Sequence, residues 1–240
     1  MHSHTEYERA SMAAIEVNGL TRYYGETRGV EELTFTVREG EAFCVLGPNG
    51  AGKTTAIRTL MGFQSPTNGG ATVLGHNITS GRDVVKMKRE VGYVPGDPAF
   101  ERDITGQELL SYHASLKSDE RSEELIEVFD LPMDQPTNDY SRCETQKLAI
   151  VLAFMHDPAL AVLDEPAAGL DPVAQERFYE FIRVEKQQGT AIVFSSHSLS
   201  EACQVGDRVG ILRNGHLIEI EDAEALTDHD CKSNRHADLL

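Results

Sequence analysis

The sequence predicts an α/β protein. Its core sheet has mixed or parallel strands, an antiparallel β subdomain stands at the N-terminus, and a helical subdomain is inserted. Three observations carry this. Short, almost wholly apolar runs at Ala42–Leu46, Leu160–Leu163 and Thr190–Phe194 have the length and composition of strands buried on both faces. Ile15-Glu16-Val17 and Leu33–Val37 alternate like strands with one wet face, flanked by Gly25 and the Glu39-Gly40 turn. From Gly106 to Met155 the apolar spacing turns helical, through Leu109, Leu110, Leu116, Leu125, Ile126 and Phe129.

The remaining elements follow in order. Ala56–Met61 reads as a helix and Val73-Leu74-Gly75 as a strand. Thr105 and Ser118 are the expected N-caps of the first two helices in the inserted block. Ala174–Gln188 and Leu199–Val205 are the later helices. Val209–Leu212 and His216–Ile220 form a hairpin about Asn214-Gly215. The expected organisation is a polar leader over 1–13, a main domain over 14–226 with the helical subdomain at about 97–158, and a polar tail over 227–240. Met12 is an alternative start.

Composition narrows the class. The chain has 240 residues, 40% apolar and 25% charged, and no run of 18 apolar residues that could span a bilayer. Four cysteines show neither a C-x-x-C pair nor zinc spacing, which suits a reducing cytoplasm. The net charge of −17, with seven lysines among 22 basic residues, argues against a general grip on nucleic acid. It suits a salt-adapted protein or a simply acidic one. The acidic run from Asp119 to Glu127 reads as a solvated helix face.

Gly47-Pro48-Asn49-Gly50-Ala51-Gly52-Lys53-Thr54-Thr55 fits G-x-x-x-x-G-K-[ST] at every fixed position, between an expected strand and an expected helix. Glycines there let several N–H groups converge on one anion in front of a helix N-terminus. Lys53 is placed to reach nucleotide phosphates, and the Thr54 hydroxyl to ligate Mg2+. The core is therefore of the P-loop NTPase kind. Far downstream, Asp164 and Glu165 close the Leu160–Leu163 run, at the strand end where open α/β sheets bind ligands. Asp164 suits a magnesium ligand, and Glu165 suits the polarisation of a water that attacks the γ-phosphate.

Tyr140-Ser141-Arg142-Cys143-Glu144-Thr145-Gln146-Lys147 ends the helical block, just before the Asp164 strand. With the other motifs in this order, the chain resembles an ATP-binding subunit of an ABC transporter from Ile15 to Glu221, and within that family the exporter-like subunits of prokaryotes. The resemblance implies that Ser141, Arg142, Cys143 and Glu144 stand at the signature that closes over ATP bound to another subunit. It implies that Asp171, in Ala168-Gly169-Leu170-Asp171, couples the two sites, and that His197 is the switch histidine that contacts the γ-phosphate. It implies that Tyr24 stacks on adenine, with Tyr23 the competing candidate. Two positions depart from the family. Gly96 stands where a glutamine is expected after Tyr93-Val94-Pro95, with Asp97 next. Cys143 replaces the second signature glycine.

The expected function is ATP binding and hydrolysis that powers a separate membrane permease, with export the expected direction. The cofactors are ATP and Mg2+. The partners are an integral-membrane permease and a second ATPase copy, identical or paralogous, with no nucleic acid. The place implied is the cytoplasmic face of the cell membrane. The alternatives are a soluble ABC ATPase without a permease and a slow-turnover nucleotide-binding subunit.

Overall fold

The computed structural model describes residues 13–100 and 103–230, with only the backbone for 227–230. Residues 1–12 of the expected leader, the Met12 start, Cys231 and the end of the expected tail lie outside these residues, and Ala13, expected in the leader, begins the first strand.

Two sheets share one core. Strands β1 (Ala13–Tyr24) and β2 (Thr27–Arg38) pair antiparallel, with Val17 opposite Phe35 and Ile15 opposite Val37. Strands β4 (Asn68–Val73) and β5 (His76–Asn77) extend this sheet in the order β2-β1-β4-β5. The period-2 burial of Leu33, Phe35 and Val37 puts their side chains inward and the threonines between them in water.

The second sheet contains β3 (Ala42–Leu46), β6 (Val91–Val94), β7 (Leu160–Leu163), β8 (Ala191–Ser196), β9 (Arg208–Arg213) and β10 (His216–Asp222), in the order β10-β9-β3-β8-β7-β6. All pairings are parallel except β9 with β10. Every residue of β3, β7 and β8 is buried, as apolar runs covered on both faces require. Side-chain alternation along β3 divides the core. Phe43 and Val45 pack toward the antiparallel sheet and helix α1 (Lys53–Leu60), with Phe43 stacked on Phe35 at 4.9 Å. Cys44 and Leu46 face the helices on the other side.

Those helices include α5 (Arg142–Phe154), α6 (Pro172–Gln187) and α7 (Leu199–Val205); before them come α2 (Gly81–Glu90), α3 (Gly106–Leu116) and α4 (Ser122–Phe129), and α8 (Ala223–Asp230) ends the described chain. Helix α5 is buried continuously from Leu148 to Phe154, and Phe154 and Phe129 both meet Phe181 of α6 edge-on. This aromatic cluster fastens the inserted lobe of α3, α4 and α5 to the core. Truncating one such ring costs about 3–5 kcal/mol. Arg121 adds a polar tie, reaching the fully buried Glu185 of α6 at 2.7 Å. Burial pushes the Glu185 carboxyl up, and the Arg121 guanidinium pulls it back down.

Several expectations are corrected. Ser118 is not a cap. Arg121 holds the N-cap of α4, and the Asp119 carboxylate accepts from the Ser122 amide at 3.0 Å, because an aspartate three residues before the amide reaches it and Ser118 does not. Strand β4 ends at Val73, since Leu74 and Gly75 both have positive φ in a turn. Helix α1 starts at Lys53, directly after the phosphate loop. The expected tail is helical as far as Asp230. Thr105 does cap α3, in a reciprocal box with Glu108. No helix among the described residues is long and apolar enough to cross a membrane.

Candidate functional site

The phosphate loop joins β3 to α1 at the C-terminal edge of the large sheet. Gly50 and Gly52 have φ of +82° and +108°, a region that glycine enters without strain. A Cβ on Gly52 would lie 2.4 Å from the Gly29 carbonyl oxygen, and one on Gly47 2.2 Å from that of Leu212. The loop is thus shaped by close backbone approach. Helix α1 has no side-chain cap, whereas Ser80, Thr105, Ser141, Asp171 and Ser198 cap α2, α3, α5, α6 and α7. An anion in the loop can supply the missing acceptor for its first amides.

A cleft of ≈ 370 Å³ opens over the loop. Tyr24 and Gly29 line it from β1 and β2, Asn49, Lys53 and Thr54 from the loop and helix, and Glu165 from the end of β7. Thr55 and Gly50 belong to the same wall. Tyr24 is 45% exposed, and its hydroxyl donates to Gln64 at 2.7 Å. The Tyr23 hydroxyl instead bonds Glu31 at 2.9 Å, so of the two tyrosines only Tyr24 lines the cleft.

The carboxylates take separate positions. Asp164 is buried, and its Oδ1 accepts from the Ser195 hydroxyl at 2.6 Å. The same Ser195 oxygen accepts from the Glu165 amide at 2.9 Å, which holds Glu165 at a φ of +47°. That backbone turn directs the Glu165 carboxylate outward. Its Oε1 pairs with the Lys53 ammonium at 3.2 Å and its Oε2 stands 3.4 Å from His197 Nδ1. Lys53 also donates to the carbonyls of Gly47 and Pro48. The structure thus brings Lys53 and His197 to the two oxygens of Glu165, while Thr54 lines the cleft and Asp164 is buried against Ser195.

The donor set fits a nucleoside triphosphate with a hard divalent cation. The glycines let the loop pack against the backbone of Gly29 and Leu212 where a Cβ would clash, and Thr54 and Asp164 carry oxygens of the kind such a cation takes. A Cβ at Gly96 would stand 3.3 Å from Asp164 Oδ2, so the glycine at this position leaves that oxygen uncrowded. No cluster of three or more His, Cys, Asp or Glu able to hold a metal occurs among the described residues.

Ser141, Arg142, Cys143, Glu144 and Asp171 form a second group that does not line the cleft. Ser141 and Glu144 make a reciprocal capping box at the start of α5, with Ser141 Oγ 2.6 Å from Glu144 Oε2. Those hydrogen bonds hold the Glu144 carboxyl below its ordinary range. Asp171 caps α6 through its Oδ1, and its Oδ2 accepts from Cys143 Sγ at 3.5 Å. The backbone bond from Ala174 and the thiol lower the Asp171 carboxyl, while burial pushes the Cys143 thiol up. Arg142 packs on Gly169, where a Cβ would come within 2.9 Å of its Nε. Gln146 ties α5 to the Pro166 carbonyl at 2.9 Å, just past Glu165.

Residues 30–168 match the family model described as ABC transporter, and residues 143–202 match one described as an AAA domain. The chain is 36% identical over 211 residues to the bacitracin transport ATP-binding protein BcrA of Enterococcus faecalis, covering 85% of this chain and 68% of that one. The chain belongs to the ABC transporter ATP-binding family. It is also 34% identical over 213 residues to the daunorubicin/doxorubicin resistance ATP-binding protein DrrA of Streptomyces peucetius, covering 85% and 64% of the two chains. A solved ATP-binding subunit of an ABC transporter superposes with a TM-score of 0.83 at 29% identity, covering 94% of this chain and 96% of that one. As an ABC ATPase the protein binds and hydrolyses ATP.

The sequence reading missed two parts of this ABC site. Ser195 directly follows the Thr190–Phe194 run, and a hydroxyl ending a core strand signals a buried polar group in need of partners. Thr27 and Arg28 line the cleft, and nothing in their sequence spacing marks them.

Proposed function

We propose that this ABC ATPase drives a separate integral-membrane permease in the export direction, working as a pair of ATPase subunits. The observation that carries the chemistry is the Glu165 carboxylate held between the Lys53 ammonium at 3.2 Å and the His197 ring at 3.4 Å. In this reading Tyr24 stacks on adenine and residues 47–55 seat the phosphates. Glu165 orients and deprotonates the attacking water, while Lys53 and His197 stabilise the charge that develops on the transferred phosphoryl group. When bound, magnesium would neutralise phosphate charge, with Thr54 and Asp164 as its ligands.

The signature group supports the paired reading, because Ser141, Cys143 and Asp171 sit together on a surface outside their own cleft, where they can serve a second subunit. Export is supported by relatives described as acting in bacitracin transport, in daunorubicin/doxorubicin resistance and in Nod factor export. In this reading the permease contact lies near Gly96–Thr105, of which residues 101 and 102 lie outside the described residues.

The test is Glu165→Gln, a variant expected to bind ATP and stall. Its mass is measured by light scattering with and without ATP and Mg2+, at low and at molar KCl. An ATP-dependent doubling of mass supports a self-pairing motor. A monomer that binds ATP under both salts rejects the homodimer and leaves a paralogous partner. Recovery of the parent protein with membranes only when its permease is co-expressed supports the transport role. Recovery in the soluble fraction regardless rejects it.

A further inference from the structure

We propose that Arg28 is a nucleotide-binding residue that grips the phosphates of ATP from the β2 edge of the cleft. The inference rests on the cleft being the ATP site. Arg28 and Lys53 are the cations among the described residues that line it. Lys53 already faces the Glu165 carboxylate, and the chain as a whole carries −17. A polyphosphate entering this cleft gains from a second positive group at its wall.

The guanidinium is held in a way that leaves part of it for a ligand. Its Nε pairs with Glu31 Oε2 at 3.3 Å, and its Nη1 contacts the Asn214 carbonyl and the His216 ring. None of these contacts uses Nη2, and the Tyr23 hydroxyl also lies within hydrogen-bonding reach of the guanidinium. Glu31 is itself fixed, since its other oxygen accepts from the Tyr23 hydroxyl. The stem of Arg28 lies across the β9–β10 turn, where a Cβ on Gly215 would come within 2.9 Å of Arg28 Cδ.

That turn is bonded to the phosphate loop. The Gly215 amide donates to the Ala51 carbonyl at 2.8 Å, and the Gly215 carbonyl accepts from the Glu31 amide at 2.8 Å. Arg28, its carboxylate anchor and the phosphate loop are therefore parts of one braced unit. The brace sets Arg28 beside the loop that seats phosphates, and a guanidinium fork suits phosphate oxygens.

The experiment uses the full chain and competition against a fluorescent ATP analogue. The competitors are ATP, ADP, adenosine and 2′-deoxy-ATP, applied to the parent, Arg28→Met and Arg28→Lys. Arg28→Met should weaken ATP and ADP about tenfold, the range of one charge-assisted hydrogen bond, and leave adenosine unchanged. Arg28→Lys should recover part of the loss. Equal weakening of ATP and adenosine would assign Arg28 to bracing the turn and overturn the proposal. So would an unchanged ATP affinity, or a loss that disappears with 2′-deoxy-ATP, which places the guanidinium on the sugar. Should Arg28→Met fail to fold, the ATP-to-adenosine ratio of Arg28→Lys decides in the same way. A parent protein that binds none of the competitors rejects the cleft reading itself.

Discussion

Ser195→Ala tests the central geometry of the site. The Ser195 side chain is fully buried, and its single oxygen serves two partners. It donates to Asp164 Oδ1 at 2.6 Å and accepts from the Glu165 amide at 2.9 Å. Alanine removes both bonds without admitting water to a site of this size. A hydrogen bond to a charged carboxylate contributes about 1.5–3 kcal/mol and a neutral one about 1 kcal/mol, so the expected loss of stability is about 3 kcal/mol. The Glu165 backbone would also lose the contact that holds its φ of +47°, a conformation worth roughly 1–2 kcal/mol of strain in a non-glycine residue. Relaxation of that strain swings the carboxylate away from Lys53 and His197. Urea unfolding should show the lost stability, and steady-state phosphate release at saturating ATP should fall at least about tenfold, the cost of one mispositioned general base. A variant within about 1 kcal/mol of the parent and within about twofold in rate would refute the claim that this hydroxyl organises the site.

Three other outcomes follow from contacts in the fold. His156 is buried beside Lys117, 3.1 Å from its ammonium, and burial lowers its pKa to about 4. As a base whose folded pKa lies below the ordinary 6.5, it leaves stability intact above that value and removes it as pH falls toward 4, at about 1.4 kcal/mol per pH unit. His156→Gln should flatten this acid slope in urea titrations at pH 7, 6 and 5, and an unchanged slope would reject the assignment. Arg121→Ala strands the buried Glu185 carboxylate and should cost about 3–5 kcal/mol by thermal or urea unfolding, against a loss below about 1 kcal/mol if the pair is idle. Cys143→Gly removes the thiol bond to Asp171 and the Cβ from the signature turn. It should change the rate of ATP turnover by at least about twofold while Cys143→Ser stays near the parent; equal ATP affinity and rate in all three proteins would show that the cysteine is neutral.

The fold was legible in the sequence wherever one period dominated. Ala42–Leu46 and Leu160–Leu163 are strands to the residue, because continuous apolar runs bounded by glycine or by carboxylates allow no other buried element of that length. Helix α2 was missed, since Met87 is its one fully buried side chain and the rest of Gly81–Glu90 offers little apolar period to read. Residue type alone points to Ser118 as a cap; which oxygen reaches the free amide of Ser122 is a matter of geometry, and Asp119 reaches it. At the site, Lys53, Glu165 and His197 were legible because each closes a core strand or loop with its own signature. Ser195 and Arg28 were not, because their partners are separated from them in sequence by 31 residues for Asp164 and 188 for His216. Spacing along a chain carries no trace of a contact that only the sheet order creates.

The helix N-termini at the phosphate loop and at the Ser141 turn are in opposite electrostatic conditions. Helix α1 begins at Gly52 with no side-chain acceptor, so its dipole and first amides are left to whatever anion enters the loop. Helix α5 begins at Ser141 with its acceptor already in place. Glu144 takes the Ser141 amide at 2.7 Å and the Ser141 hydroxyl at 2.6 Å, and those bonds keep the carboxyl ionised. A phosphate brought to this second terminus meets a carboxylate that has satisfied part of the same donor set. Its gain is the Coulomb attraction of the helix end less the repulsion of Glu144, and the two are of similar size at a partly exposed site. If the Ser141 turn closes over ATP as proposed above, that closure would be weaker in drive than binding at the phosphate loop. On the paired reading proposed above, this difference between two caps predicts tighter ATP binding at the phosphate loop of the single chain than ATP-driven pairing, to be compared by nucleotide titration and light scattering.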